Sequence, residues 1–408
     1  MATNIPSFPS GKMSTVLGAG SMASGNVSPE SITPLTAERT ATVSGVGRTD
    51  ITRLMEAVIK YDASDLHLSV DRPPAVRVRG ELHNLGSTLL TANDTNALMK
   101  SITSAHYQQE LNERGGADFG YAFGDQARFR VSIFKERGRV GMALRLIPSR
   151  LKSFEEIGLP PIIKDIVNRP RGLVLVTGPT GSGKTTSLAT MIDFINTERA
   201  NHIITIEDPI EYYHKHKKCL VTQRELGVDV PSFPEALRRA LRQDPDVILI
   251  GEMRDLDTIA VAITAAETGH LVFATLHTTG SAETINRIVD AFPVSQQNQI
   301  RTQLAATIIA VISQVLLPTA DGKGRIAAFE LMFASDPIQA LMRKGETYKI
   351  NSHIQTAGKD GMILLDDFLF NLWVGQKITY NIMMRASQEP DILEKKVREY
   401  TESMKRKR

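Results

Sequence analysis

Residues 173–185 read LVLVTGPTGSGKT. An apolar run, Leu173-Val174-Leu175-Val176, meets Thr177 and then the octet Gly178-Pro179-Thr180-Gly181-Ser182-Gly183-Lys184-Thr185. The octet satisfies G-x-x-x-x-G-K-[ST] at every fixed position, the pattern of a phosphate-binding loop set between a strand and a helix. The residue types follow from the chemistry. Glycines let backbone amides curl around phosphate oxygens with no Cβ in the way, and the helix behind them turns its positive N-terminus on the same group. Lys184 can reach the β- and γ-phosphates of a nucleotide, and the Thr185 hydroxyl can ligate Mg²⁺. The candidate nucleotide-binding residues of this stretch are therefore 178–185 together with the adjacent Thr186.

Working outward, three more short apolar runs stand downstream, at 203–206, 247–250 and 271–274. Each is rich in β-branched residues or leucine, and helical segments lie between them. Strands covered by helices on both faces read this way, so a parallel α/β sheet is predicted. All four runs end in polar residues: Thr177 and Gly178, Glu207 and Asp208, Gly251 and Glu252, Thr275 and His277. Ligands of such sheets bind at the carboxyl ends of the strands, so the four ends point at one crevice.

Roles can be assigned within that crevice. Glu252 ends its strand where an acidic residue would sit beside the metal, through water, and position the attacking water as a general base. Glu207, Asp208 and Glu211 crowd three carboxylates into five residues. Their mutual repulsion needs a cation or hydrogen-bond donors to offset it, and a face turned to Mg²⁺–ATP would supply that. His270 and His277 flank the fourth run, where one could bond the γ-phosphate or link Glu252 to its neighbours. Ser232-Phe233-Pro234-Glu235 has the form of a capping box, followed by the stripe Ala236, Leu237, Ala240 and Leu241. His214, His216 and Cys219 have loosely metal-like spacing, but lysines 215, 217 and 218 would oppose a cation.

The first half has another texture. Residues 1–47 are rich in Ser, Thr, Gly, Pro and Ala, too polar to offset their ordering entropy, and read as a disordered tail. Ile51, Leu54, Met55, Val58 and Ile59 share a helix face, with Thr49 or Asp50 available as its cap. Strand-like runs follow at 65–70, 76–79, 128–134 and 140–146, several alternating polar with apolar. This predicts a small α+β domain ending near Pro148. After Arg287 the chain reads as helical to its end, and the longest apolar stretch, 304–317, reads as buried helix. That stretch is shorter than the ~20 residues that span a bilayer and carries Thr307, Ser313 and Gln314.

Composition narrows the remaining classes. The net charge of the 408 residues is only +3, and neither a basic stripe nor stacking aromatics support nucleic-acid binding. A single cysteine, Cys219, rules out an intramolecular disulfide and a four-cysteine zinc site. The N-terminus lacks the apolar core of a signal peptide, so a cytoplasmic protein is expected, reaching a membrane only through a partner. The closing Lys405, Arg406, Lys407 and Arg408 read as a solvated helix end.

Taken together these segments resemble the secretion-ATPase superfamily of type IV pilus and type II secretion motors, and within it the pilus retraction ATPases. The resemblance spans about residues 50–375. It is carried by Asp65-Leu66-His67-Leu68 with Pro73-Pro74, by Ala127-Arg128-Phe129-Arg130-Val131, by the acidic segment 205–211, by Ile250-Gly251-Glu252-Met253-Arg254-Asp255, and by the histidine segment 268–279. The resemblance implies an α/β chain with a RecA-like P-loop NTPase domain and a smaller PAS-like N-terminal α+β domain. The expected division is a tail to 47, the N-terminal domain 48–150, a linker 151–161, the ATPase domain with its C-terminal helices 162–375, and a helical tail 376–408. It also implies a homohexamer using ATP and Mg²⁺ at the inner face of the inner membrane, with no membrane insertion of its own. Partners would be an inner-membrane pilus platform protein and a paralogous retraction ATPase. Catalytic roles are implied for Glu252, Glu211, His277, Arg130 and Arg145, the arginines acting on their own or a neighbouring subunit's nucleotide, and nucleotide contacts for Glu207 and His270. One departure stands out: Gln339 replaces an arginine usual in the C-terminal part of retraction motors. A pilus-assembly or secretion ATPase and an accessory ring paralogue are the alternatives.

Overall fold

The computed structural model describes residues 50–406, apart from 79, 125, 148 and 149. The expected tail 1–47 lies outside the described residues, as do Lys407 and Arg408 of the basic terminus. The first element is the helix Ile51–Lys60, whose start is capped by the Asp50 carboxylate accepting the Thr52 N–H. Ile51, Leu54, Met55 and Val58 are buried, whereas Ile59, expected on the same face, is exposed.

An antiparallel sheet follows, made of β1 (Asp65–Leu68), β2 (Ala75–Val78), β3 (Glu81–Asn84), β4 (Gly116–Phe123), β5 (Ala127–Glu136) and β6 (Arg139–Ile147). Its spatial order is β3-β2-β1-β6-β5-β4. Phe129, Val131 and Ile133 on β5 and Met142 and Leu144 on β6 enter one core with the first helix, because alternate strand residues share a face. The other face of β5 carries Arg128, Arg130 and Ser132. β3 and β4 add to the strands the sequence predicts.

The second sheet holds β7 (Gly172–Thr177), β8 (His202–Glu207), β9 (Leu220–Glu225), β10 (Val247–Ile250), β11 (Leu271–Leu276), β12 (Ile308–Pro318) and β13 (Arg325–Phe333). Its order is β13-β12-β7-β11-β10-β8-β9. The four predicted runs are the parallel centre, β7, β11, β10 and β8, and their residues are almost wholly buried. Helices Lys184–Glu198, Phe233–Ala240, Leu256–Glu267 and Ser281–Asp290 connect and cover them.

Two expectations are corrected here. The chain after Arg287 is not helical throughout, and the apolar stretch 304–317 is not one helix. The helix Val294–Thr307 stops where Ile308 turns extended, and β12 runs on as a strand parallel to β7 and antiparallel to β13. The apolar stretch crosses that junction, so its length exceeds a strand's and mimics a helix. Residues 151–161, expected as a linker, carry local structure of their own. Ser153 and Glu156 form a capping box on the short helix Phe154–Ile157, and Phe154 and Leu159 are buried in the second core. Beyond 376, helices Tyr380–Ala386 and Pro390–Arg406 pack Met383, Leu393 and Val397 with Leu317 and Ala328 of the hairpin. No described helix is long and apolar enough to cross a membrane.

Candidate nucleotide site

In the parallel ladder Thr177 lies opposite Leu276, so Gly178 leaves the sheet beside His277. Ile250 lies opposite both Ala274 and Ile206, which brings Gly251 and Glu207 to the same edge. The loop then turns through positive φ at Gly178, Gly181 and Gly183. A Cβ at Gly178 would fall 2.1 Å from the Gln314 carbonyl oxygen, so the loop and β12 approach closer than any side chain allows. Gln314 holds the loop a second time, its Nε2 donating to the Ser182 carbonyl at 2.6 Å.

Several groups in the loop point to an anionic ligand. Gly183 starts the helix Lys184–Glu198 without a side-chain cap, leaving its first amides free to meet an anion. The hydroxyls of Thr177 and Ser182 are buried without a partner. Lys184 Nζ donates to the carbonyls of Gly178 at 2.7 Å and Pro179 at 3.2 Å. Burial lowers the Lys184 pKa, while the charges of Glu252 and Glu211 oppose that shift and place both carboxylates near the ammonium. Bare amides, an unpaired hydroxyl pair and a half-buried ammonium fit a polyphosphate.

Glu252 sits across the crevice mouth. Its Oε2 accepts from Arg254 Nη2 at 2.7 Å and its Oε1 meets His277 Nε2 at 3.0 Å. Nδ1 of the same ring lies 3.5 Å from the Thr180 hydroxyl. A ring protonated at Nε2 donates to the carboxylate and can accept the Thr180 hydroxyl proton at Nδ1, joining the loop to Glu252. Burial pushes the Glu252 carboxyl up, but the Arg254 hydrogen bond and charge, His277 and Lys184 together hold it below its usual value. It is ionised at neutral pH. The turn that presents it is fixed by Gly251 N–H to the Ile206 carbonyl, Met253 N–H to the Thr275 carbonyl and the Thr275 hydroxyl to the Gly251 carbonyl.

The three carboxylates of the acidic segment part company. Glu207 is turned inward, 7% exposed, and accepts from the Thr205 hydroxyl at 2.6 Å and Gln223 Nε2 at 3.2 Å. Burial raises its pKa to about 7 despite those donors. The Thr205 and Gln223 donors offset part of the burial cost and of the repulsion from Glu211. Glu211 stays half-buried, close enough to Lys184 to act on its charge. The neighbouring Tyr212 hydroxyl lies 3.0 Å from Thr186 Oγ1, so Thr186 faces the acidic segment while Thr185 stands half-buried on the first helical turn.

Three expected residues lie elsewhere in this chain. His270 precedes β11 while His277 follows it, and the strand separates them by roughly 20 Å. The His270 ring meets the Ala265 carbonyl at 2.9 Å and the Thr268 hydroxyl at 3.3 Å, at the sheet edge away from the loop. Flanking a strand in sequence means standing at its opposite ends. Arg130 and Arg145 are opposite one another on β5 and β6, both exposed, with Arg145 Nε donating to Asp65 at 2.9 Å. Sequence reasoning assigned no role to Arg254, Gln314 or Glu225. Arg254 alone had a signal, two residues beyond the proposed base.

This fold and loop define a P-loop NTPase. Residues 42–359 match the family described as Type II/IV secretion system protein, and the chain belongs to that family. It is 47% identical over 317 residues to the type IV pilus retraction ATPase PilT of Pseudomonas aeruginosa, covering 78% of this chain and 92% of the relative. It is 46% identical over 299 residues to a twitching motility protein of Neisseria gonorrhoeae, covering 73% and 80%. The crystal structure of the pilus retraction motor PilT with bound ADP superposes with a TM-score of 0.81 at 44% identity, covering 85% of this chain and all of that one.

Proposed function

We propose that this protein hydrolyses ATP to drive retraction of a type IV pilus, as a homohexamer held against the inner face of the inner membrane by a pilus platform protein. One observation carries the enzymatic part: Lys184 and an ionised Glu252 stand at a single sheet edge, joined through His277 and the loop's own Thr180. The identity to relatives that bear retraction and twitching names supports the pilus assignment.

In this reading residues 178–186 hold the phosphates, with Lys184 turning from the loop carbonyls to the β- and γ-oxygens. Thr185 and, through water, Glu252 would hold Mg²⁺, which when bound neutralises charge on the phosphates. Glu252 orients the attacking water and takes up its proton. A carboxylate held below its usual pKa is a weak base, so orientation is the larger part of its task, and one of its two contacts must yield an oxygen. Arg254 is the more exposed of the two partners and so the more readily exchanged. Glu211 faces the same ligand from the acidic segment. Arg130 and Arg145 lie open on the N-terminal sheet, a position suited to a neighbouring subunit's nucleotide, where they would stabilise charge on the γ-phosphate. His270 falls outside this nucleotide site.

Gln339 supports a second reading, an accessory ring ATPase paralogous to the main retraction motor. It lies on the helix Asp336–Lys344 where retraction motors usually carry arginine. Steady-state turnover of purified wild type and Glu252→Gln, with solution mass, tests the proposal. Hydrolysis by a hexamer that Glu252→Gln lowers by about two orders of magnitude or more, with ADP binding kept, is expected. Deleting the gene should leave cells piliated but unable to twitch, and bald cells would reject the retraction role.

A further inference from the structure

The N-terminal sheet touches the acidic segment through a buried ion pair that no role above uses. Arg128, on β5, is 8% exposed, and Glu225, on the edge strand β9, is 5% exposed. Arg128 Nη2 donates to Glu225 Oε2 at 2.8 Å. The same Oε2 accepts the backbone N–H of Ile210 at 3.1 Å, and Oε1 takes the Gly120 N–H of β4 at 3.4 Å. The guanidinium lies over the Tyr213 ring, 4.1 Å from its centroid. It also lies flat on Gly120, where a Cβ would come within 2.4 Å of Nη2. One carboxylate therefore gathers two strands of the first sheet and the chain just before Glu211, and the arginine covers the residue two positions after it. Arg128 Nε and Nη1 have no partner, so Glu225 is the only acceptor of this buried charge among the described residues.

We propose that Arg128 and Glu225 are positioning residues that fix residues 208–213 against the N-terminal sheet, so that where Glu211 stands over the nucleotide depends on the seat of that sheet on β9. Neither touches the reacting atoms. The inference rests on the nucleotide-site reading above.

A merely structural ion pair can be replaced by apolar side chains of similar volume with stability kept, whereas removing one partner strands a buried charge. The test compares Glu225→Gln with the double variant Arg128→Met/Glu225→Met in the full-length protein. Melting temperature, ADP affinity, kcat and amide hydrogen exchange across 208–213 are measured. The single variant is expected to melt lower. The double variant should regain only part of the melting temperature, because the Ile210 and Gly120 amides lose their acceptor, and should bind ADP within about threefold of wild type, yet lose about tenfold in kcat and exchange the 208–213 amides at least about tenfold faster. Recovery of kcat together with melting temperature, or unchanged protection of 208–213, would overturn the positioning role. Failure of the unmodified protein to bind ADP would instead overturn the nucleotide-site reading, and the exchange measurement still reads the pair by itself.

Discussion

Gly178→Ala tests how the phosphate loop is held. An added Cβ would lie 2.1 Å from the Gln314 carbonyl oxygen and 2.8 Å from Ser182 Oγ, against about 3.3 Å for an ordinary carbon–oxygen contact. The Gln314 oxygen is backbone on β12, which is paired on both sides, to β7 and to β13, so it cannot swing away as a side chain would. Overpacking of this kind costs about 1–3 kcal/mol. The φ of +138° adds strain of about 1–3 kcal/mol for any L side chain. Gly181 supplies the control: its φ is +79° but nothing lies within 4 Å of an added Cβ. Gly181→Ala should therefore cost only about 1–2 kcal/mol. At about 2–4 °C per kcal/mol, Gly178→Ala should melt about 4–24 °C below wild type and Gly181→Ala about 2–8 °C below. Calorimetry of both full-length variants, with a fluorescent-ADP titration, makes the comparison. A Gly178→Ala protein as stable as Gly181→Ala, still binding ADP normally, would show that the β12 backbone does not close over the loop.

Lys184→Ala should weaken nucleotide binding itself, by about two orders of magnitude in a fluorescent-ADP titration, since the ammonium is the loop's only charge. Arg254→Ala removes a hydrogen bond and a charge that lower the Glu252 pKa, so the acidic limb of the kcat–pH profile should move to higher pH. Glu207, whose folded pKa is about 7 against an ordinary 4.5, keeps its proton in the folded chain after the unfolded chain has lost it. Its contribution to stability is complete below pH 4.5 and is lost as pH rises through 7, at up to about 1.4 kcal/mol per pH unit. Urea midpoints between pH 5 and 8 should show that slope flattened in Glu207→Gln.

The centre of the second sheet was legible because β7, β8, β10 and β11 are buried on both faces, which leaves continuous apolar runs. Its edges were not. β9 reads LVTQRE, too polar to announce a strand, because its charged end meets the first sheet instead of water. β13 carries Ala327, Ala328 and Glu330, helix formers that only the ladder with β12 makes into a strand. Within the site, the loop and Glu252 were readable because their chemistry is local to a strand end. Arg128 was not, since alternation along β5 puts it on the face opposite Phe129, Val131 and Ile133, ordinarily the wet face. Glu225 of β9 covers that face at Arg128 while Arg130 stays exposed, and sequence periodicity cannot report a neighbour that arrives from about a hundred residues away.

The catalytic edge is thus held by two separate attachments. The phosphate loop is tied to β12 through Gln314, and the segment after His277 is tied to the same hairpin by Gly280 N–H to Ser313 Oγ at 2.9 Å and Ser281 N–H to Glu330 at 2.6 Å. Lys184 and His277 therefore share one support. Glu211 hangs mainly from another, β9, through Glu225 and Gln223, with Tyr212 also touching Thr186 behind the loop. Moving Glu211 by sliding β9 along β8 would break a ladder paired from Leu220 to Glu225. Freeing the chain around Glu211 from β9 would release the Ile210 N–H from Glu225, and both the Tyr212 carbonyl and the His214 N–H from Gln223. Arg128 and the Gly120 N–H of the N-terminal sheet meet the same Glu225 carboxylate, so that sheet acts on this anchorage directly.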